Sequence, residues 1–152
     1  MSNTQGLCDS FKLQLLNGGH NFGSTNTART ANTPDVFKAA LYYATASINN
    51  TTTTYTTVGE VTGVNYTAGG LVIPNITAPL LFTDSATWTP SGSLTWNALT
   101  ITLPFDTILI YNATQGNAAV SVHTFGAQTI TAGTFALAMP SPGSSTSLLI
   151  IA

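Results

Sequence analysis

Apolar residues along this chain recur mostly at every second position, and at helical spacing only near the start. There Phe11, Leu15 and Leu16 fall on one helix face, Asp9 or Ser10 can cap the beginning, and Gly18-Gly19 stops the run. This pattern predicts a short amphipathic helix over residues 9–17. Residues 20–34, rich in Thr, Asn, Gly and Ala, keep no sustained period and read as an extended arm. Residues 36–43 then alternate, with Phe37, Ala39, Leu41 and Tyr43 on one face and Lys38, Ala40 and Tyr42 on the other. That is the first strand signal.

Threonine dominates residues 49–57, where β-branching disfavours helix, while residues 44–48 can form one helical turn. From Gly59 onward, β-prone runs alternate with Gly, Pro and Ser. They cover residues 61–66, 71–76, 80–88, 95–103, 107–111, 118–125, 133–139 and 148–151, with a turn at Gln115-Gly116-Asn117. Short strands at this spacing, without intervening helices, imply two packed sheets. The expectation is one domain over residues 1–152: helix and arm over 1–34, then an all-β, jelly-roll-like (Greek-key) β-sandwich of about eight to ten strands over 35–152.

Composition narrows the function. Of 152 residues only 5% are charged, whereas 43% are hydrophobic. An average soluble domain has roughly a quarter charged residues. Thr, Ser, Asn and Gly stand in their place. A surface of hydroxyls and amides costs less to desolvate than one of ammonium and carboxylate groups, which suits lasting contact with another protein. The three basic residues, Lys12, Arg29 and Lys38, and a net charge of −2 leave too few cations for direct nucleic-acid binding or for anionic membrane surfaces. The opening residues lack the basic and apolar regions of a signal peptide, and no 18-residue apolar run follows, so neither Sec export nor membrane insertion is expected.

The residues that could carry chemistry are few and scattered. Asp9, Asp35, Glu60, Asp84 and Asp106 lie in five separate segments, at spacings no local element would bring together. His20 and His123 are the only imidazoles. His123 alternates with Val120 and Val122, sharing a face with Ser121 and Phe125, and reads as a surface or interface residue. Cys8, alone, permits no intrachain disulfide and reads as a small buried hydrophobe. Trp88 and Trp96 with the five tyrosines read as packing residues before a carbohydrate platform. No catalytic residue, metal ligand, cofactor or small-molecule substrate is expected, and the chain is read as a non-enzyme.

Several strings resemble a family of small virion proteins of tailed double-stranded DNA phages, the capsid cement or decoration proteins. They are Leu7-Cys8-Asp9-Ser10-Phe11-Lys12 with Leu15-Leu16-Asn17-Gly18-Gly19-His20-Asn21-Phe22, then Phe37-Lys38-Ala39-Ala40-Leu41-Tyr42. Tyr55-Thr56-Thr57-Val58-Gly59-Glu60-Val61, Tyr66-Thr67-Ala68-Gly69-Gly70, Leu109-Ile110-Tyr111-Asn112, Ala119-Val120 and Phe125-Gly126 extend the likeness over nearly the whole chain. Within the family it runs to a jelly-roll member that joins neighbouring capsomers of an icosahedral shell.

The resemblance implies a structural protein on the outer surface of the virion, with the phage major capsid protein as partner. The polar arm would drape over neighbours, and Phe22, Tyr42, Tyr43, Tyr55, Leu148 and Ile150 are the candidate interface anchors. So few charges also leave weak defences against edge pairing, so a homodimer is expected. The competing expectation is a tail-fibre, tail-tip or receptor-binding β-sandwich of similar composition.

Overall fold

A computed structural model describes residues 2–23, 33–74, 77–90 and 92–152. In chain order the elements are β1 (Gly6–Leu7), α1 (Asp9–Leu16), β2 (Phe37–Tyr43), β3 (Leu71–Val72), β4 (Leu80–Phe82), β5 (Ser85–Trp88), β6 (Leu94–Asn112), β7 (Ala118–Leu137) and β8 (Leu149–Ile151). The protein is an all-β sandwich with one short helix. Its larger sheet has the order β1-β7-β6-β2-β3, its smaller one β4-β5-β8, and every neighbouring pair is antiparallel. Among the described residues no helix is long and apolar enough to cross a membrane.

The helix forms where its spacing predicts, but its start differs from expectation. Cys8 occupies the N-cap without a side-chain bond, and Asp9 sits in the first turn. The Asp9 carboxylate is engaged elsewhere, accepting from Lys12 Nζ at 3.0 Å and from Asn50 Nδ2 at 2.9 Å. At the other end Gly18 takes φ 65°, and Gly19 N–H donates to the Gln14 carbonyl at 2.8 Å, closing the helix as a left-handed glycine cap does. Phe11 is fully buried and Leu15 half-buried, but Leu16 is 88% exposed.

The hairpin of β6 and β7 is the spine of the larger sheet. Its turn is the expected one: Gly116 and Asn117 both take positive φ, 62° and 59°, and Ala118 N–H donates to the Gln115 carbonyl. The strands themselves are longer than the sequence pattern suggests. Pro104 was expected to divide residues 95–111, yet β6 passes through it. The β6–β7 register shifts between Ile101 and Phe105, so Pro104 sits in a bulge where no ladder N–H is needed. Its carbonyl meanwhile accepts from Ala44 N–H at 2.9 Å. β7 likewise bridges residues 126–132, with Ala132 at φ 47° marking a second irregularity.

Elsewhere the expected runs are shorter. Residues 61–66 form no strand, only the bridge of Val64 to Thr100, and the run expected over 71–76 reduces to β3, with residues 75 and 76 outside the described set. The chain here passes so close to β2 that a Cβ on Gly70 would collide with the Ala39 carbonyl, and Gly70 takes φ 67°. Residues 80–88 split into a hairpin at Thr83-Asp84, with Thr83 at φ 53°. Residues 44–48 contain a hydrogen-bonded turn, Ala46 N–H to the Tyr43 carbonyl, and no helix.

Two aromatic groups pack in the core. Phe11, Phe22, Phe37 and Trp88 pack together, with Phe22 stacked on Phe37 at 4.4 Å between ring centres; Trp96, Phe105, Phe125 and Phe135 form the second group under the hairpin. Through Trp88 and Leu149, both buried, the smaller sheet joins the common core.

Candidate functional site

An open apolar feature lies between α1 and the smaller sheet. Cross-strand registers place Trp88 beside Leu149, and Leu81, Ala86 and Ile151 in one row further along the same face. The inner row is buried. The outer row is exposed, Leu81 at 83% and Ile151 at 44%. Phe11 and Leu15 of α1 close a pocket of about 160 Å³ over Trp88, Leu149 and Ile151. It continues into a groove of about 520 Å³ lined by Leu7, Lys12, Leu15, Leu16, Ile150 and Ile151. Ala152 also borders it, and Lys12, the one charged side chain of the lining, is paired with Asp9 at 3.0 Å.

Beside the groove, a cleft of about 250 Å³ separates β8 from the face of β1 and β7, with Leu148 and Ile150 on one bank and Gln5, Leu7, Ser121 and His123 on the other. His123 Nε2 lies 3.0 Å from Ser121 Oγ. Burial of the ring lowers the His123 pKa from near 6.5 to about 4. An imidazole held that low is a weak base at neutral pH, so the Ser–His pair serves packing better than nucleophile activation.

The six anticipated anchors divide sharply. Leu148 and Ile150 line the cleft, and Ile150 also lines the groove. Phe22 and Tyr42 do not reach the surface: Phe22 is 8% exposed within the aromatic core, and Tyr42, fully buried, donates from its hydroxyl to the Thr56 carbonyl at 2.6 Å. A side chain consumed by its own core has no area left for a partner. Tyr43 is half-buried, its hydroxyl bonded to Thr62; Tyr55 is half-buried, stacked on Tyr111 at 4.8 Å and donating to Glu60 Oε2 at 2.6 Å. Neither lies at the groove. The exposed apolar side chains Leu16 and Leu81 were not among the anticipated anchors. Their only sequence signal is that apolar residues stand in unbroken runs there, where alternation would leave one face polar.

Two buried polar clusters explain why the interior tolerates acids. Glu60 Oε1 accepts from Tyr66 O–H at 2.8 Å and from Gly69 N–H at 2.7 Å, while Oε2 accepts from Tyr55. Burial first, and then the neighbouring carboxylate, push Tyr55 well above its usual range and raise Tyr111 to about 12. In the second cluster Asp35 accepts from Asn21 N–H at 2.8 Å, Asn112 Nδ2 at 2.7 Å and Gln115 Nε2 at 3.2 Å. Asn112 Oδ1 accepts from the N–H groups of Thr114 and Gln115, which fixes its amide orientation. Its Nδ2 therefore donates to His20 Nδ1 at 2.9 Å, and His20 Nε2 carries the proton given to Gln14 Oε1 at 2.8 Å.

The second cluster ties together the two ends of the anticipated arm. Asn21 and Asp35 also exchange a backbone bond at 3.0 Å, and Asn21 Nδ2 donates to the Thr33 carbonyl. Residues 24–32, most of the arm, lie outside the described residues. Cys8 is fully buried, and burial pushes its thiol up to about 11, as a small core residue requires and a reactive thiolate does not. Among the described residues no three of His, Cys, Asp or Glu gather at one place. Compared with family models, curated proteins and solved structures, the chain matches none.

Proposed function

We propose that this protein is a non-enzymatic capsid cement protein of a tailed phage, binding the outer face of the assembled major-capsid-protein lattice across capsomer seams. The observation that carries this reading is the open, mainly apolar groove between α1 and the smaller sheet, on a chain with only 5% charged residues. The resemblance along the sequence supplies the partner class, and its N-terminal string includes Leu7, Lys12, Leu15 and Leu16 of the groove wall.

The mechanism needs no covalent step. A protein that binds the assembled shell and not its dissociated subunits stabilises the shell by RT ln(1 + [L]/Kd), about 2.7 kcal/mol per site at a hundredfold excess over Kd. Repetition over a shell turns this modest increment into resistance to internal pressure. Apolar side chains supplied by neighbouring capsomers would fill the groove, and the missing charges keep the desolvation cost of that contact low.

The test is cosedimentation of the purified protein with phage heads that lack it, using tailless heads as the deciding sample. Saturable binding to tailless heads is the expected result. Binding confined to tailed particles or host cells would overturn the reading in favour of a tail adhesin.

A further inference from the structure

The smaller sheet has an unfinished edge. β4 is Leu80-Leu81-Phe82, three large apolar side chains in succession, exposed by 48%, 83% and 38%. An unbroken apolar run is the pattern of a strand covered on both faces, whereas edge strands normally carry charge. Yet β4 pairs only with β5. A two-residue turn joins Phe82 to Ser85, so by the alternation of antiparallel ladders the N–H and C=O of Leu81 point away from β5. No described residue bonds them from that side.

We propose that β4 pairs with β4 of a second copy of this chain, antiparallel and about a two-fold axis at Leu81. The result is one six-stranded sheet in the order β8-β5-β4-β4-β5-β8. Self-complementarity and charge point to a second copy as the occupant. In this register Leu80 meets the partner's Phe82 and Leu81 meets the partner's Leu81, so every facing pair is apolar. Asp84, the one charge on this hairpin, falls opposite the partner's Ala78. The two Asp84 residues are then six positions apart along the strands, roughly 20 Å at ~3.3 Å per residue. That separation is about twice the Debye length of ~8–10 Å at physiological salt, so they do not repel appreciably. A parallel pairing in register would instead set Asp84 against Asp84. Pro79, which has no N–H, falls opposite the partner's Thr83 and ends the ladder there, since it can accept but not donate. A two-fold contact also closes on itself, so the β4 edge is used up within the dimer.

Sedimentation velocity of the full chain over a concentration series tests the pairing. The wild type is expected to rise from its 15.7 kDa chain mass toward twice that value. Leu81→Lys sets two ammonium groups face to face at the axis. Because Leu81 is 83% exposed, this variant is expected to keep its far-UV spectrum and melting temperature while staying at monomer mass. Leu16→Lys, at an equally exposed position on α1, is expected to dimerise as the wild type does, which separates this edge from the groove. Leu81→Cys is expected to be joined into a dimer by a short bifunctional thiol reagent, since the opposed Cβ atoms of this hydrogen-bonded pair lie about 5.5 Å apart, wider than the ~3.5–4.5 Å of a disulfide. Monomer mass at every concentration, undiminished dimerisation of Leu81→Lys, or loss of the dimer in Leu16→Lys overturns the proposal.

Discussion

Glu60 illustrates how a nearly uncharged protein uses a charge. The carboxylate is 5% exposed and accepts from two tyrosine hydroxyls and a backbone N–H, connecting the 55–70 segment to β2, where Tyr66 O–H also accepts from Leu41 N–H at 3.0 Å. Glu60→Gln retains the shape but gives up the charge assistance and turns one acceptor into a donor. It is expected to cost about 2–3 kcal/mol of unfolding free energy, measured by urea denaturation with an unchanged m-value. The histidines set the response to acid. Burial lowers His123 to about 4 and also lowers His20, so the folded protein binds fewer protons than the unfolded chain below pH 6.5. This contribution to stability is therefore complete above about pH 6.5 and lost as pH falls toward 4. His123→Gln is expected to flatten the slope of unfolding free energy between pH 6.5 and 4; an unchanged slope would contradict the assignment. None of these roles was legible in the sequence. Tyr42 and Phe22 looked like anchors because an aromatic residue has the same pattern whether its neighbours come from its own chain or from another.

At the scale of elements, legibility followed how local the cause was. The helix over Asp9–Leu16, β2 and the Gln115-Gly116-Asn117 turn all appeared where periodicity and glycine placed them, since spacing, capping and positive φ are decided within a few residues. β6 and β7 were misjudged at Pro104 and around residues 126–132. A bulge in one strand is compensated by a shift in the other, and such a pair cannot be read from either strand alone. The 61–66 run failed as a strand for a related reason. Its backbone is drawn against Thr100 and β2, with a bridge only at Val64, and Thr100 and Val64 exchange backbone bonds of 3.1 Å in both directions.

For the whole molecule, the fold class came from the count and spacing of short runs, and one wall of the groove from the terminal apolar run that holds Ile150 and Ile151. Leu16, on the opposite wall, was hidden because exposure is a property of the assembled tertiary structure. The central claim is that this groove is what grips the shell, and the measurement that tests it most directly compares the wild type with the double variant Leu16→Lys, Ile151→Lys in cosedimentation with tailless heads. Both side chains are exposed, at 88% and 44%, so the variant is expected to fold and melt as the wild type does. Placing two ammonium groups in an apolar contact is expected to weaken head binding at least tenfold, corresponding to about 1.4 kcal/mol or more. Binding of the folded double variant equal to that of the wild type would contradict the claim.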